Sequence, residues 1–159
     1  MPMTARSSAE LGCTPSGPER CYDAVDNDCN GLADDGCGVP FGVVTFRVAW
    51  DDPTADVDLE VVDTAGELVG TGAPSAGGLI KEHDCPTDSD CAGRAYESVY
   101  SVSPPPRSAS YGVTLRLERI GEAMLPLAVA LNARLGPTTY SHRLALGAAG
   151  QRCSYTFSF

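Results

Sequence analysis

No apolar run in this chain approaches the roughly 18 residues that a membrane-spanning helix needs, so no such span is expected. None of the 7 cysteines falls in a Cys-x-x-Cys pair, which is poor spacing for zinc. There are only 2 histidines, and no Gly-x-Ser-x-Gly elbow, phosphate loop or dinucleotide fingerprint. Catalysis is therefore poorly supported, and the chain is not expected to be an enzyme. No stretch has convincing helical periodicity. The opening residues Met1-Pro-Met-Thr-Ala-Arg-Ser-Ser8 lack the apolar segment of a signal peptide, so a removed signal or a truncated start is expected.

What is present leans toward strands and loops. The 17 Gly and 12 Pro are loop-rich usage, and the apolar 43% lies mostly after residue 40. At 159 residues the chain should form one main domain with room for a small appendage. Charge is uneven. Residues 1–97 hold 19 of the 21 acids and 5 of the 11 bases, a net of −14, whereas residues 98–159 carry a net of +4. The acidic part disfavours nucleic acid and anionic membranes and favours cations.

Four cysteines, Cys13, Cys21, Cys29 and Cys37, are evenly spaced, with seven residues between neighbours. Residues 1–12 read as a disordered lead. Residues 13–37 have almost no apolar side chains beyond Tyr22, Val25 and Leu32, so they need disulfides, metal or both to fold. Cys21–Cys29 and Cys13–Cys37 are the expected pairs, out of three connectivities. Cys85–Cys91 is expected further on, leaving Cys153 as an odd thiol on a core-facing strand position, free or open to pairing with another chain.

Asp26-x-Asp28-x-Asn30-Gly31 places oxygen ligands at positions one, three and five before a turn glycine, the first half of an EF-hand loop. Leu32 would offer its carbonyl, and Asp34 falls at position nine. Cys37 stands where the closing Glu belongs. Asp23 or Asp35 could complete the sphere. Five Asp within 13 residues repel one another unless neutralised. The alternative is an Asx-rich turn cluster without an ion. All-oxygen, flexible ligation suits calcium; copper or zinc would call for imidazole or thiolate.

The loop resembles the thrombospondin type 3 repeat, in which acidic loops wind around calcium. Residues 21–37 also resemble the MopE-type metal-binding motif, with Asn30 in place of an Asp and Asp35 in place of a Glu. That label has been linked to copper, which stays as an alternative cofactor.

Gly38 to Gly42 reads as a linker. After it, alternation at period two takes over. Val44, Phe46, Val48 and Trp50 share one face; Thr45, Arg47 and Ala49 share the other. Val57, Leu59 and Val61 alternate with Asp56, Asp58 and Glu60. Further strands are expected around 68–72, 79–82, 96–102, 111–118, 125–131, 140–146 and 153–159. About eight short, half-buried strands without helix define an all-β, antiparallel β-sandwich over 43–159.

Residues 43–159 resemble a β-domain found C-terminally in YfaP-type bacterial proteins that carry von Willebrand A modules. The resemblance rests on Trp50 to Asp63, Gly66-Glu67, Gly77-Gly78, Tyr96-Glu97 and Gly136 to Thr139. It implies a secreted or cell-surface sandwich.

Asp56 and Asp58 project from one face of a strand. With Asp51 and Asp52 in the preceding turn and Glu97 or Asp84, they could hold a second calcium; the alternative is a solvated strand face. Asp84, Asp88 and Asp90 invite the same reading more weakly. His142 is expected to be packed or at a sheet edge. The expected role is a secreted or surface calcium-binding module for adhesion, binding or structure, with an unknown surface protein or glycan as partner. The alternatives are a copper-handling protein and a carbohydrate-binding accessory, for which Tyr96, Tyr100 and Tyr111 are the remaining aromatic platforms.

Overall fold

The computed structural model describes residues 3–6, 13–82, 84–86, 91 and 93–158. They form eleven strands in two sheets and, among the described residues, no α-helix. The strands are β1 (Met3–Arg6), β2 (Val44–Trp50), β3 (Asp56–Val62), β4 (Leu68–Val69), β5 (Ser75–Ala76), β6 (Leu79–Lys81), β7 (Tyr96–Ser101), β8 (Ser110–Arg119), β9 (Leu127–Leu135), β10 (Thr138–Leu146) and β11 (Arg152–Ser158). One sheet runs β1-β11-β8-β3-β4 and the other β10-β9-β2-β7-β6-β5. Every pairing is antiparallel except β1 on β11.

The fold is thus the expected all-β sandwich, with more strands than the eight anticipated. The strand expected around 68–72 is only Leu68–Val69, and the additional β5 has two residues, too few for an alternation pattern. Met3–Arg6, expected in a disordered lead, instead extend the first sheet beside β11. The strand expected from Leu125 starts at Leu127, and Leu125 is exposed.

The core follows the period-two pattern. Val44, Phe46, Val48 and Trp50 from one sheet meet Val57, Leu59, Val61, Val113, Leu115 and Leu117 from the other. Phe46 packs against Tyr111 at 5.5 Å and Phe157 at 5.7 Å between ring centroids. Cys153 faces this core and is buried, so its thiol is sequestered. That removes the expectation that it could bond another chain.

All seven residues of β2 are buried, not the alternate ones alone. The second face is covered by the N-terminal module, which docks on the outer side of the six-stranded sheet. Ala24 packs with Ala49 and Tyr96, flanked by Tyr22, Val39 and Ala130. Arg47 reaches through this layer. Its guanidinium donates to the carbonyls of Ala33 and Pro40 and lies 4.0 Å from the centre of the Phe41 ring. Thr139 donates to the Gly31 carbonyl at 3.0 Å, and Arg94 stacks on Tyr22. The module expected to lie beyond a linker is therefore half-embedded in the sandwich.

Candidate metal-binding sites

The module is held by two interleaved disulfides. Cys13 bonds Cys29, and Cys21 bonds Cys37. The expected nested pairing is thus wrong. Each bond skips one cysteine and spans the same 16 residues, so two equal loops cross and fold residues 13–20 onto the acidic segment. Ser16 N–H donates to the Asn27 carbonyl along that crossing. Four of the five non-glycine residues with positive φ among the described residues lie here: Tyr22, Ala24, Cys29 and Asp34. Such backbone costs roughly 1–2 kcal/mol per residue and persists only where surrounding bonds over-determine it.

Those bonds come from the carboxylates. Asp26 accepts from Asn30 N–H at 3.1 Å and Gly31 N–H at 2.8 Å, and Gly31 takes φ 91° to close that turn. Asp28 also accepts from Asn30 N–H. The Asn30 side chain accepts from Leu32 N–H and donates to Asp35. Asp23 accepts from Val25 N–H and the Asn27 amide. Asp34, fully buried, accepts from the backbone N–H of Asp23 and Ala24. Burial pushes its carboxyl up to about 6, although those amides and the Arg47 charge pull the other way.

The acidic residues of the loop gather in two groups that share Glu19. Asp26 and Asp28 converge with Glu19, and Asp23 and Asp34 converge on the other side of Glu19, the ligand-capable atoms of each trio lying within 4.8 Å of one another. Asp35 belongs to neither trio and accepts from the Asn30 amide, whose oxygen accepts from Leu32 N–H. Glu19 bridges the two trios. Its carboxylate accepts from the N–H groups of Asn27, Asp28 and Asp34, the last at 2.7 Å. Burial raises the carboxyls of Glu19 and Asp26. Sequence reading missed Glu19 because it lies outside the 26–34 spacing and arrives only through the crossed disulfides.

A second cluster lies between the sheets. β4 pairs only with Val61 and Val62, leaving the first half of β3 as an open edge. Glu97 of β7 reaches that edge and accepts from Leu59 N–H at 2.8 Å. The same oxygen is 2.9 Å from the Lys81 ammonium. Lys81, the only lysine of the chain, also donates to Thr71 Oγ1, whose hydroxyl reaches Asp58. Asp56, Asp58, Asp84 and Glu97 bring one oxygen each to within 4.8 Å of the others.

Desolvation first, and then the negative charges of Asp58 and Asp84, push Asp56 up to about 6. Asp58 is also raised, chiefly by burial. Glu97 is raised well above the carboxylate range by complete burial, despite Lys81 beside it.

Asp52, expected in this group, is not part of it. It caps the turn before β3, accepting from Thr54 N–H and Oγ1 at 2.8 and 2.6 Å, which lowers its pKa. Asp84 takes its place. It precedes Cys85, whose disulfide with Cys91 staples that loop as expected. Asp88 and Asp90 lie outside the described residues.

Among the aromatic platforms, Tyr96 is buried under the module and Tyr111 in the core. Trp50 is also in the core, its indole N–H bonded to the Ala55 carbonyl. His142 is half-buried on the edge strand β10, its ring 4.6 Å from Tyr155.

No protein-family model matches this chain, and comparison with curated proteins and with solved structures finds no match.

Proposed function

We propose that this chain is a calcium-binding, disulfide-stapled β-sandwich module of the secreted or cell-surface kind, acting in binding, adhesion or structural support and not in catalysis. The observation that carries this is the convergence of Glu19, Asp26 and Asp28 on a loop whose backbone is already shaped by carboxylate-to-amide bonds. Those bonds fix the orientation of each carboxylate. A carboxylate has about four acceptor sites, so lone pairs remain for a cation.

The trio fits a hard ion: three carboxylates with Asp23 and Asp34 close behind, and no thiolate, since all four cysteines are in disulfides. This donor set favours calcium over copper. Three disulfides are the usage of an oxidising compartment. The resemblance to the MopE-type and thrombospondin type 3 loops points the same way. Burial of Trp50, Tyr96 and Tyr111 leaves the half-buried Tyr100 as the remaining aromatic for a sugar platform. The partner is an unidentified surface protein or glycan.

Hydrogen exchange with calcium and with chelator tests the cation. At about 100 times its dissociation constant, calcium should stabilise the module by roughly 2.7 kcal/mol. The amides of Asn30 and Gly31 should then exchange faster in chelator, and Asp28→Asn should reproduce that state in calcium. Equal protection in both conditions would remove the calcium reading and leave a disulfide knot with a self-bonded acidic surface.

A further inference from the structure

We infer that the open edge of β3 against β6 and β7 is a second cation site, taking a calcium-sized divalent ion on Asp56, Asp58, Asp84 and Glu97. It shares no residue with the acidic loop, so either site can fail alone.

The cage has the right size. Oxygens bound to calcium sit about 2.3–2.6 Å from the ion, so opposite ligands are about 5 Å apart. The four carboxylates already place one oxygen each within 4.8 Å of the others.

The second observation is independent of that clustering. Glu97 is 0% exposed, and its Oε2 meets Lys81 and Leu59 N–H, but its Oε1 is buried with no hydrogen-bond donor. Asp56, with a side chain 8% exposed, is in the same position. Its Oδ1 has no donor, and its nearest ion pair is with Arg119 at 4.0 Å. Buried carboxylate oxygens without partners are rare, because water has been removed and nothing has replaced it. Both residues belong to the group that brings one oxygen each to within 4.8 Å of the others.

Charge leads to the same conclusion. Four carboxylates face one buried ammonium, that of Lys81, with Arg119 at the rim. A divalent ion together with these two cations balances the four negative charges. Lys81, bonded to Glu97 and to the Thr71 hydroxyl, stays as one of these cations, and the ion adds to it. The Cys85–Cys91 disulfide acquires a role here, since it braces the loop that delivers Asp84.

The test uses the full disulfide-bonded chain and calcium alone, counting bound ions by equilibrium dialysis. Asp56→Asn/Asp58→Asn should bind one ion fewer than wild type, whereas Asp26→Asn/Asp28→Asn should keep the sandwich ion. Both changes at the β3 edge are isosteric and relieve repulsion, so in chelator the first variant should melt no lower than wild type. Lys81→Met should bind the sandwich ion at least tenfold more tightly, and calcium should restore its melting temperature. An unchanged ion count in Asp56→Asn/Asp58→Asn overturns the proposal. So does binding that appears only in Lys81→Met, which would make Lys81 the permanent counterion. Unfolding of Lys81→Met that calcium cannot reverse would also overturn it.

Discussion

In the N-terminal loop, Asp23, Asp26, Asp34 and Glu19 are bonded to backbone amides a few to fifteen residues away. At the β3 edge, Asp56, Asp84 and Glu97 instead face one another across strands and loops far apart in sequence, with Lys81 beside them. The first cluster uses its charge to hold a strained backbone that has almost no core of its own. In the second, Asp56 and Asp58 alternate with the core residues Val57 and Leu59 on β3, and Glu97 accepts from a backbone amide, that of Leu59. Similar acidic composition thus does different physical work. Carboxylates bonded to amides stabilise local structure, whereas Asp56 Oδ1 and Glu97 Oε1 are buried without a donor.

The largest expected effect comes from separating the two regions. Arg47 is the buried cation that joins them, with Asp34 nearby and the Ala33 and Pro40 carbonyls as acceptors. Arg47→Ala leaves those groups buried without it and should cost about 3–5 kcal/mol. Hydrogen exchange should then show the module loosened while the β8 and β11 amides stay protected. Uniform loss across both sheets would mean that Arg47 supports the sandwich itself and is not a tether.

A smaller pair of changes sharpens the contrast between satisfied and unsatisfied carboxylates. Asp34→Ala removes the acceptor for one buried and one part-buried amide and should destabilise by about 2–3 kcal/mol. Asp56→Asn, measured in chelator, should be neutral or stabilising, since it removes a charge that nothing at hydrogen-bond distance balances. Chemical denaturation of both variants checks the sign. The same sign for the two would erase the distinction.

The smallest effect is in pH. Asp34 and Asp56 have folded pKa values of about 6 against an ordinary 3.8, so the folded chain binds their protons more tightly. Their contribution is fully present below 3.8 and is lost as pH rises through about 6. In chelator, stability should therefore rise as pH falls from 7 toward 5, and calcium should flatten that slope by favouring the ionised forms. Melting curves at several pH values with and without calcium measure it. A chelated protein that weakens steadily from pH 7 to 5 would contradict the burial of these two groups.

Parts of this were legible in the residues. The alternation of Val44, Phe46, Val48 and Trp50 placed them in the core, and the period of two placed Asp56 and Asp58 on one face. Cys85–Cys91 was readable because a short loop leaves little choice. The crossed pairing of the first four cysteines was not, because equal spacing makes the connectivities look alike. Glu19 was hidden for the same reason. Asp52 looked equivalent to Asp84, yet a local turn with Thr54 captured it first. The burial of Arg47 was unreadable as well, since a strand shows which residues share a face but not what covers that face.

By itself the sequence determined the β class, the inward face of each long strand and the need of residues 13–37 for cross-links. These follow from short-range periodicity and from how little apolar surface that segment has to bury. Only the tertiary structure decided which cysteines join, that the module seats on the second face of β2, and that Asp84 and Glu97 meet Asp56 and Asp58 around Lys81. Each of those depends on contacts between residues distant along the chain. Their energies come from desolvation and charge in a shared interior, which spacing along a sequence does not encode.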